Sequence, residues 1–395
     1  MNKQRIKRIL VSICPNVPFL RRILTKYEIN KYTKMLMSDE EVEKAEIDET
    51  EKQRVLGKKC ALWQNRVRTD NDRIDRMLQV APDYKGISEE QRKVIRQDIH
   101  FCRYAYGFMP EEYLCYDFMN KTPKERKMFI SESDHMRFCY QMNDPVDISI
   151  FNDKARTYER FGKYYHRQVM CVSKKSNYPD FLKFVEAHPI FVKKQVYESC
   201  GNSIEKIDAR TCGKSERALF ESFLKQGKVV LEELVEQGAA TACFNASSVN
   251  TRRCITVNTK KGVLTPYCFM KIGRKGAFVD NGGAGGILVG IDEKTGMTNT
   301  VGYDELRRIY ERHPDSGVAF VGHQLPEWDR MIAICKEMAS QIPTVRFIGW
   351  DLAYTDDKGW VVIEGNGMSQ FIGPQTIWQR GIKEEVMQFM KDMDL

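Results

Sequence analysis

The sequence predicts an α+β protein in which a helical N-terminal region precedes a mixed domain. Residues from about 20 to 130 are rich in Glu, Lys, Arg and Leu-type side chains and contain few glycines, a pattern typical of consecutive helices. From about residue 165 onward, β-branched runs are separated by glycines and short turns, which favours antiparallel strands. A chain of 395 residues with 42% hydrophobic content can bury a large core and suggests two or three domains.

The mixed domain is expected to extend from about residue 140 to 395. Its predicted strands are the β-branched segments at 167–172, 189–197, 228–235, 253–259, 262–272 and 276–280, followed by a pair within 349–366. Its predicted helices lie at about 177–187, 214–227, 303–313 and 327–341. This mixture indicates an α+β domain behind the helical region.

The charge of the chain is diffuse except at its start. The net charge is +8, but acids and bases are interspersed, which argues against nucleic-acid binding. Residues 1–34 carry nine Lys or Arg against the single acid Glu28. This basic lead could contact an anionic membrane face, or it could be a solvated helical extension. The apolar segment 9–20 is too short to span a bilayer and lacks a signal-peptide cleavage pattern.

Twelve cysteines are scattered singly, with no C-x-x-C pair and no Cys/His cluster at zinc spacing. They are expected to be reduced thiols, several of them in apolar runs where cysteine behaves as a small hydrophobe. The expected location is therefore cytoplasmic, with contact at the inner face of the membrane as a further option.

Asp351 and Glu364 lie inside two apolar strands that flank the polar turn TDDKGW. If the turn is centred between Asp357 and Lys358, Asp351 lies directly opposite Glu364, and the two-residue period of a strand places Asn366 on the same face. Opposed like charges destabilise a sheet, so this arrangement calls for a cation. Oxygen ligands without His or Cys suit a hard ion such as Mg²⁺. The alternative is an exposed face whose acids meet solvent.

Two other predicted strands could contribute to a nucleotide-binding site. One carries Lys193 and is followed by a loop that contains Gly201, so that an ammonium group and backbone N–H groups could bind phosphate oxygens. The other ends in a segment containing Glu233 and Val235, which could offer backbone groups to an adenine edge and a carboxylate to a ribose. A solvated strand lysine and an ordinary edge strand are the alternatives. The GKS triplet at 213–215 is not a P-loop, because Asp208 occupies the position of the required glycine.

Arg253 is a candidate for contact with a transferring phosphoryl group. The segment SSVNTRRCITVNT places it on a strand, and a planar guanidinium with five donors suits phosphate oxygens. Further along, Asp280 and Asn281 precede four glycines in VDNGGAGG, where a ligand could approach the backbone closely or where the chain forms an ordinary loop.

These motifs together resemble the ATP-grasp domains found beside sugar-transfer and surface-polysaccharide enzymes. The likeness is carried, in order, by FVKK, LEELVEQ, SVNTRR, VDNGGAGG, ERHPDSG, HQLPEW and the pair GWDLAY…VVIEGN. It covers roughly residues 100 to 395, including YGFMPEEY near 106 and NDK at 152–154. The resemblance implies two α+β lobes that hold ATP between antiparallel sheets. The expected division is a helical region at 1–100 and an ATP-grasp domain at 101–395, with its N-terminal part at 101–188 and its ATP-binding lobes at 189–395.

The resemblance also implies roles for individual residues. Asp351, Glu364 and Asn366 match the spacing of the family's magnesium ligands. Lys193 is similar to the phosphate-binding lysine of the K-P strand, and Lys154 resembles the earlier lysine of a D-K motif. The remaining matches are Glu233 and Val235 on the adenine hinge and Arg253, rather than Arg252, in the N-T-x-R motif. The chain departs from the family pattern at Lys194, which replaces a proline, and at Ser203, which replaces the second glycine of the phosphate loop.

The implied activity is that of an ATP- and Mg²⁺-dependent ligase. It would activate a small-molecule or glycan carboxylate as an acyl phosphate and join it to an amine in polysaccharide assembly. One alternative is a phosphotransferase acting on a sugar hydroxyl, with Asp280 or His313 as general base. Another alternative is a nucleotide-binding scaffold without turnover.

Overall fold

The computed structural model describes residues 18–197, 204–274, 276–280, 282 and 285–395. These residues form two antiparallel sheets and a set of helices. The expected phosphate-loop residues Gly201 and Ser203, and also Asn281, lie outside these ranges. The combination of helices with antiparallel sheets confirms the predicted α+β class and the helical N-terminal region.

The N-terminal region is helical as far as Met142. Its helices are α1 Pro18–Thr33, α2 Asp39–Ile47, α3 Glu49–Leu62, α4 Gln64–Val80, α5 Glu89–Ala105, α6 Pro110–Cys115, α7 Pro123–Lys127 and α8 Glu132–Met142. Several begin at strong capping signals, because the Ser38 and Ser88 side chains accept hydrogen bonds from Glu41 and Gln91 N–H in reciprocal capping boxes. Prolines occupy the first positions of α6 and α7, where no N–H donor is needed.

The first sheet has four strands in the order β1-β4-β2-β3. Its strands are β1 Val169–Val172, β2 Ile190–Gln195, β3 Glu205–Asp208 and β4 Val229–Glu233. Helices α10 Tyr178–Ala187 and α11 Glu216–Gln226 cover one face, where Phe191 and Leu231 pack against helical phenylalanines. Helix α9 Lys154–Phe161 lies on the opposite face, where its Ala155 contacts Val230.

The second sheet has seven strands in the order β11-β10-β5-β6-β7-β8-β9. Its strands are β5 Thr251–Thr259, β6 Gly262–Ile272, β7 Ile287–Ile291, β8 Gly302–Tyr303, β9 Ile309–Tyr310, β10 Phe347–Thr355 and β11 Gly359–Asn366. The remaining helices are α12 Ala239–Ala242, α13 Trp328–Ser340, α14 Ile372–Trp378 and α15 Lys383–Asp392. Helix α13 packs on one face of the sheet, and α8, α14 and α15 pack on the other.

Two predicted elements were wrong. Residues 303–313 have a helix-like composition but form parts of two short strands around a turn. The Asp304 carboxylate accepts hydrogen bonds from the Leu306 and Arg308 N–H groups, and Arg307 adopts φ +59°, so a local turn replaces the helix. Residues 276–280 form no strand, since Gly276 turns the chain with φ +83°. The sequence interpretation also missed strands β3 and β7.

The β10–β11 hairpin confirms that Asp351 lies opposite Glu364, but by a different register from the one expected. Thr355 pairs with Gly359, so the turn is centred on Asp357, half a residue before the expected point. A β-bulge between Asp351 and Leu352 then shifts the pairing by one residue. The two departures cancel at Asp351.

None of the helices in the described ranges combines the length and apolar composition that crossing a membrane would require. The ten cysteines within these ranges are all free, in agreement with the expected reduced thiols.

Candidate functional site between the two sheets

A cavity of about 120 Å³ lies between the two sheets. Lys194 and Glu232 line it from the four-stranded sheet, and Glu364 and Asn366 line it from the edge strand β11. Lys154, at the start of helix α9, lines a further part of the wall. Its volume is below the roughly 300–1,000 Å³ of most small-molecule sites.

Of the two adjacent lysines on β2, the structure places Lys194 in the cavity wall and Lys193 on the opposite face of the sheet. Successive side chains on β2 point to opposite faces of the sheet. The Lys193 ammonium lies on the Phe191 face, where it donates to Glu205 Oε1 and Gln226 Oε1, both at 2.6 Å. Lys194 therefore points into the cavity, at the position where the family pattern has a proline.

Glu232 is the centre of a buried charge network in the cavity wall. Lys194 Nζ lies 2.8 Å from Glu232 Oε1, and Arg167 donates to Glu232 Oε2 at 2.6 Å. Burial alone would raise the pKa of Glu232, but the charges and hydrogen bonds of Lys194 and Arg167 lower it to about 2. Arg167 also donates to the Val362 and Ile363 carbonyl oxygens on β11, so one guanidinium connects the two sheets.

The expected adenine hinge begins at the end of β4. Glu233 is the last residue of this strand, and Val235 lies beyond it rather than within the predicted strand 228–235. The Glu233 carboxylate accepts hydrogen bonds from Gln168 N at 2.9 Å and from Lys358 Nζ at 2.8 Å. Lys358 belongs to the β10–β11 turn, so this ion pair is a second connection between the sheets.

Arg253 contacts Asp351 in a bidentate ion pair on the second sheet. Its Nε and Nη2 atoms lie 2.6 and 2.8 Å from the two Asp351 oxygens. Lys271 Nζ donates to the same carboxylate at 2.9 Å. Burial would raise the pKa of Asp351, but these two cations lower it well below its ordinary value. A Cβ at position 349 would come closest to the Ser369 side chain and would lie 2.9 Å from Cδ of Arg253, so Gly349 makes room for both side chains.

Burial acts against the charge of both cations beside Asp351. It would lower the pKa of Arg253, yet the Asp351 charge and hydrogen bonds raise that pKa above its ordinary value. Lys271 is also buried, and the charges of Asp280 and Asp351 raise its pKa. Both groups therefore remain cationic at neutral pH.

The three expected magnesium ligands are partly brought together. Asp351 and Glu364 are cross-strand partners, and Asn366 Nδ2 donates to Glu364 Oε1 at 3.2 Å. Asp351 is held by Arg253 and Lys271, whereas Glu364 and Asn366 face the cavity. In the part of the chain that is described, no three His, Cys, Asp or Glu side chains form a cluster able to hold a metal ion.

The donor set nonetheless fits a magnesium ion that is shared with a phosphate chain. Mg²⁺ typically takes one or two protein carboxylates and fills its other positions with water and phosphate oxygens. Glu364 and Asn366 supply a carboxylate and an amide on the cavity wall, and Lys194 and Lys154 supply positive charge on the other walls. Asp351 could join this set only if Arg253 and Lys271 release its oxygens.

The two residues considered as general bases are both engaged elsewhere. His313 is buried, its Nε2 lies 3.0 Å from the Gly273 carbonyl oxygen, and its Nδ1 accepts from backbone N–H groups. Asp280 accepts hydrogen bonds from the Thr251 backbone and hydroxyl groups. Arg252 points away from Arg253 into the core, where its Nε and Nη2 atoms have no partner among the described residues.

Sequence reasoning missed two cations, Arg167 and Lys271. Arg167 precedes the first strand and shows no motif, so only the tertiary structure identifies it. Lys271 pairs across the sheet with Thr251. A count from the hairpin turn between Thr259 and Gly262 would not have identified it, because a β-bulge after Ile255 shifts the register by one residue and the count places Lys271 on the wrong face.

The two sheets and the cavity between them define an α+β protein with a charged inter-sheet site. A family model described as sugar-transfer associated ATP-grasp matches residues 133–391. The chain belongs to this family, which confirms the resemblance and the ATP-grasp fold. A comparison with curated proteins gave no match.

Among solved structures, the chain is similar to the ATP-grasp ligase PsnB in complex with precursor peptide PsnA2 and AMPPNP. The two are 11% identical with a TM-score of 0.40, over 66% of this chain and 68% of PsnB. It is also similar to the D-alanyl-alanine synthetase A of Vibrio cholerae, at 10% identity and a TM-score of 0.41, over 64% and 67% of the two chains. At this level of similarity, neither structure indicates what this chain binds.

Proposed function

We propose that the protein is an ATP- and Mg²⁺-dependent ligase that activates a carboxylate and joins it to an amine. The observation that carries the proposal is the cavity between the sheets, where Lys154 and Lys194 share the walls with the oxygen donors Glu364 and Asn366. Phosphoryl transfer depends mainly on positioning and charge neutralisation, and this inventory of residues supplies both.

In this proposal the cations of the cavity bind the phosphate chain. Lys194 takes the role that the sequence suggested for Lys193, and Lys154 contacts phosphate from the start of α9. The segment from Glu233 to Val235 meets the adenine ring. Glu364 and Asn366 would hold magnesium, which would neutralise the charge of the phosphates when bound. Asp351 would join them as a further ligand only if Arg253 and Lys271 release its oxygens.

Arg253 is the proposed catalytic residue. Its guanidinium is fixed beside Asp351 by two hydrogen bonds and lies on the same sheet as Glu364. Its pairing with Asp351 keeps it cationic despite its burial, so it can stabilise the charge of the transferring phosphoryl group. Lys271 is a positioning residue, because it contacts the Asp351 carboxylate that orients Arg253.

The proposed reaction has two steps. A carboxylate oxygen attacks the γ-phosphorus of ATP, which breaks the bond to the β-phosphate and releases ADP. The amine then attacks the carbonyl carbon of the acyl phosphate, loses a proton and expels inorganic phosphate. Neither step requires a nucleophilic side chain, and the described walls of the cavity contain no Cys, Ser or His.

The hydrogen bonds of His313 and Asp280 favour the ligase over a phosphotransferase. A hydroxyl acceptor benefits from a general base near the γ-phosphate. Both nitrogens of His313 are occupied by backbone groups, and Asp280 is bound by Thr251. A carboxylate is already ionised at neutral pH and needs no base for the first step.

An isotope experiment tests the proposed chemistry. The protein is incubated with ATP, Mg²⁺, amines and a panel of sugar acids and amino acids whose carboxylates carry ¹⁸O, and the products are weighed by mass spectrometry. We expect an amide, ADP, and inorganic phosphate that carries one ¹⁸O atom from the carboxylate. A phosphate ester would indicate the phosphotransferase instead, and ATP binding without any product would indicate a scaffold.

Several finer expectations remain part of this proposal. They are a role in cell-surface polysaccharide or glycan assembly, a cytoplasmic location at the inner face of the membrane, and peripheral membrane contact through the basic N-terminus. The proposed domain division is 1–100 for the helical region and 101–395 for the ATP-grasp domain.

A further inference from the structure

One side of helix α1 exposes a row of large apolar side chains. Phe19, Ile23 and Tyr27 are 69%, 48% and 61% exposed and follow one another at intervals of four residues. On an α-helix this spacing places them in a single stripe. Arg22 and Lys26 are also exposed and flank the stripe. We call these five residues the outer face of α1.

The opposite side of α1 is anchored to the protein. Leu24 and Glu28 are buried, and the Tyr140 hydroxyl on α8 donates to Glu28 Oε2 at 3.3 Å. Arg21 forms ion pairs with Asp144 and Asp147. Helix α1 is therefore held in one orientation, and its outer face is presented to the solvent.

The charged residues that α1 itself exposes have one sign. The helix contains Arg21, Arg22, Lys26 and Lys31 and a single acid, Glu28, which lies on the buried side. The exposed side of α1 therefore carries cations and no carboxylate. An apolar ridge flanked by cations is the arrangement that binds at the surface of an anionic bilayer, with the rings at the headgroup level and the cations near the phosphates.

We propose that the outer face of α1 docks the protein on an anionic lipid bilayer. Phe19, Ile23 and Tyr27 enter the interface, while Arg22 and Lys26 contact lipid phosphates. The docking is independent of the proposed ligase chemistry. A protein partner or a second copy of the chain fits less well, because a stripe of three apolar side chains is small for a stable interface.

Vesicle co-sedimentation of the full chain tests the apolar part of the proposal. The vesicles contain either phosphatidylcholine alone or phosphatidylcholine with one third phosphatidylglycerol. We expect binding to the anionic vesicles, and a reduction of about ten-fold or more in the partition coefficient when Phe19, Ile23 and Tyr27 are all changed to Ser. The matched control changes Leu62 and Val80, which are 73% and 50% exposed on other helices, to Ser and should bind as the wild type does.

A second variant tests the contribution of the cations Arg22 and Lys26 to bilayer binding. Each cation near an anionic surface contributes about a five-fold factor, so Arg22→Glu with Lys26→Glu should weaken binding by more than ten-fold. Exposed Lys58→Glu, on helix α3, is the control. Binding of the wild type should also fall when NaCl is raised, because exposed charges are screened.

Three results would overturn the proposal: unchanged partition in the serine variant, equal binding to neutral vesicles, or a wild-type dimer that this variant converts to a monomer without any vesicle binding. ATP affinity is measured on the same samples by calorimetry. If the serine variant loses vesicle binding but keeps its ATP affinity, the loss is specific to the outer face of α1. If the wild type does not bind ATP, the proposed function is refuted, and the docking result is unaffected.

Discussion

The buried carboxylate of Glu232 should make a large, pH-dependent contribution to stability, whereas its neighbour Glu233 should contribute little. Glu232 is paired with Arg167 and Lys194 inside the protein, and its pKa is lowered from 4.5 to about 2. That difference corresponds to about 3 kcal/mol in favour of the folded state at neutral pH. Glu233 pairs with Lys358 at the surface, where such a pair contributes no more than about 1 kcal/mol.

The matched substitutions are Glu232→Gln and Glu233→Gln. We expect Glu232→Gln to lower the free energy of unfolding by about 3–5 kcal/mol at pH 7, because it leaves two buried cations without their counter-charge. The Glu233→Gln variant should lose at most about 1 kcal/mol. Urea unfolding at pH 7, followed by circular dichroism and tryptophan fluorescence, measures both changes.

The pH dependence has a definite sign. The pKa of Glu232 is lower in the folded chain than in the unfolded chain, so its contribution is complete above pH 4.5 and is lost as the pH falls towards 2. Wild type should therefore lose more stability than Glu232→Gln between pH 5 and pH 3. Equal losses in the two glutamine variants at pH 7, or the same acid dependence in wild type and Glu232→Gln, would refute this reasoning.

Four further substitutions, of which Lys193→Met is a control, test separate parts of the structure. Measured by calorimetry, Lys194→Met should weaken ATP binding by about ten-fold or more. Lys193→Met, on the opposite face of β2, should change the ATP affinity less than about two-fold. If Lys193→Met had the larger effect, Lys193 would be the phosphate-binding lysine, as the sequence suggested. Gly349→Ala should lower the free energy of unfolding by about 1–3 kcal/mol and reduce turnover, because the added Cβ collides with the side chains of Ser369 and Arg253; wild-type values for both would contradict the close packing. Asp304→Ala should cost about 1–3 kcal/mol in urea unfolding, since two backbone N–H groups lose their acceptor, and an unchanged midpoint would show that the turn does not need this carboxylate.

Sequence patterns predicted the helices and strands that depend mainly on neighbouring residues. The helices up to residue 130, the long strand 262–272 and the strand pair within 349–366 follow from periodicity and turn signals. The Asp351–Glu364 pairing was also predicted, but only because a half-residue error in the turn and an unseen β-bulge compensated. A bulge is set by packing on both faces of a sheet, and a single strand pair does not reveal it.

The placement of the site lysines could not be predicted from the sequence for a similar reason. Two adjacent lysines on one strand point to opposite faces, and the sequence does not indicate which face the cavity occupies. Helices α10 and α11 cover the Phe191 face, and this packing sends Lys193 away from the cavity and Lys194 into it. Arg167 connects residues more than sixty positions apart, so no spacing rule could identify it.

The most direct test of the central claim is the effect of magnesium on ATP affinity in wild type and in Glu364→Gln. Isothermal titration of each protein with ATP, with and without Mg²⁺, separates the contribution of the metal from that of the lysines. If Glu364 holds magnesium against the phosphates, Mg²⁺ should tighten ATP binding to the wild type by about ten-fold or more, and this gain should disappear in the variant while the magnesium-free affinity is kept. An equal gain in both proteins would contradict a magnesium–nucleotide site between the two sheets.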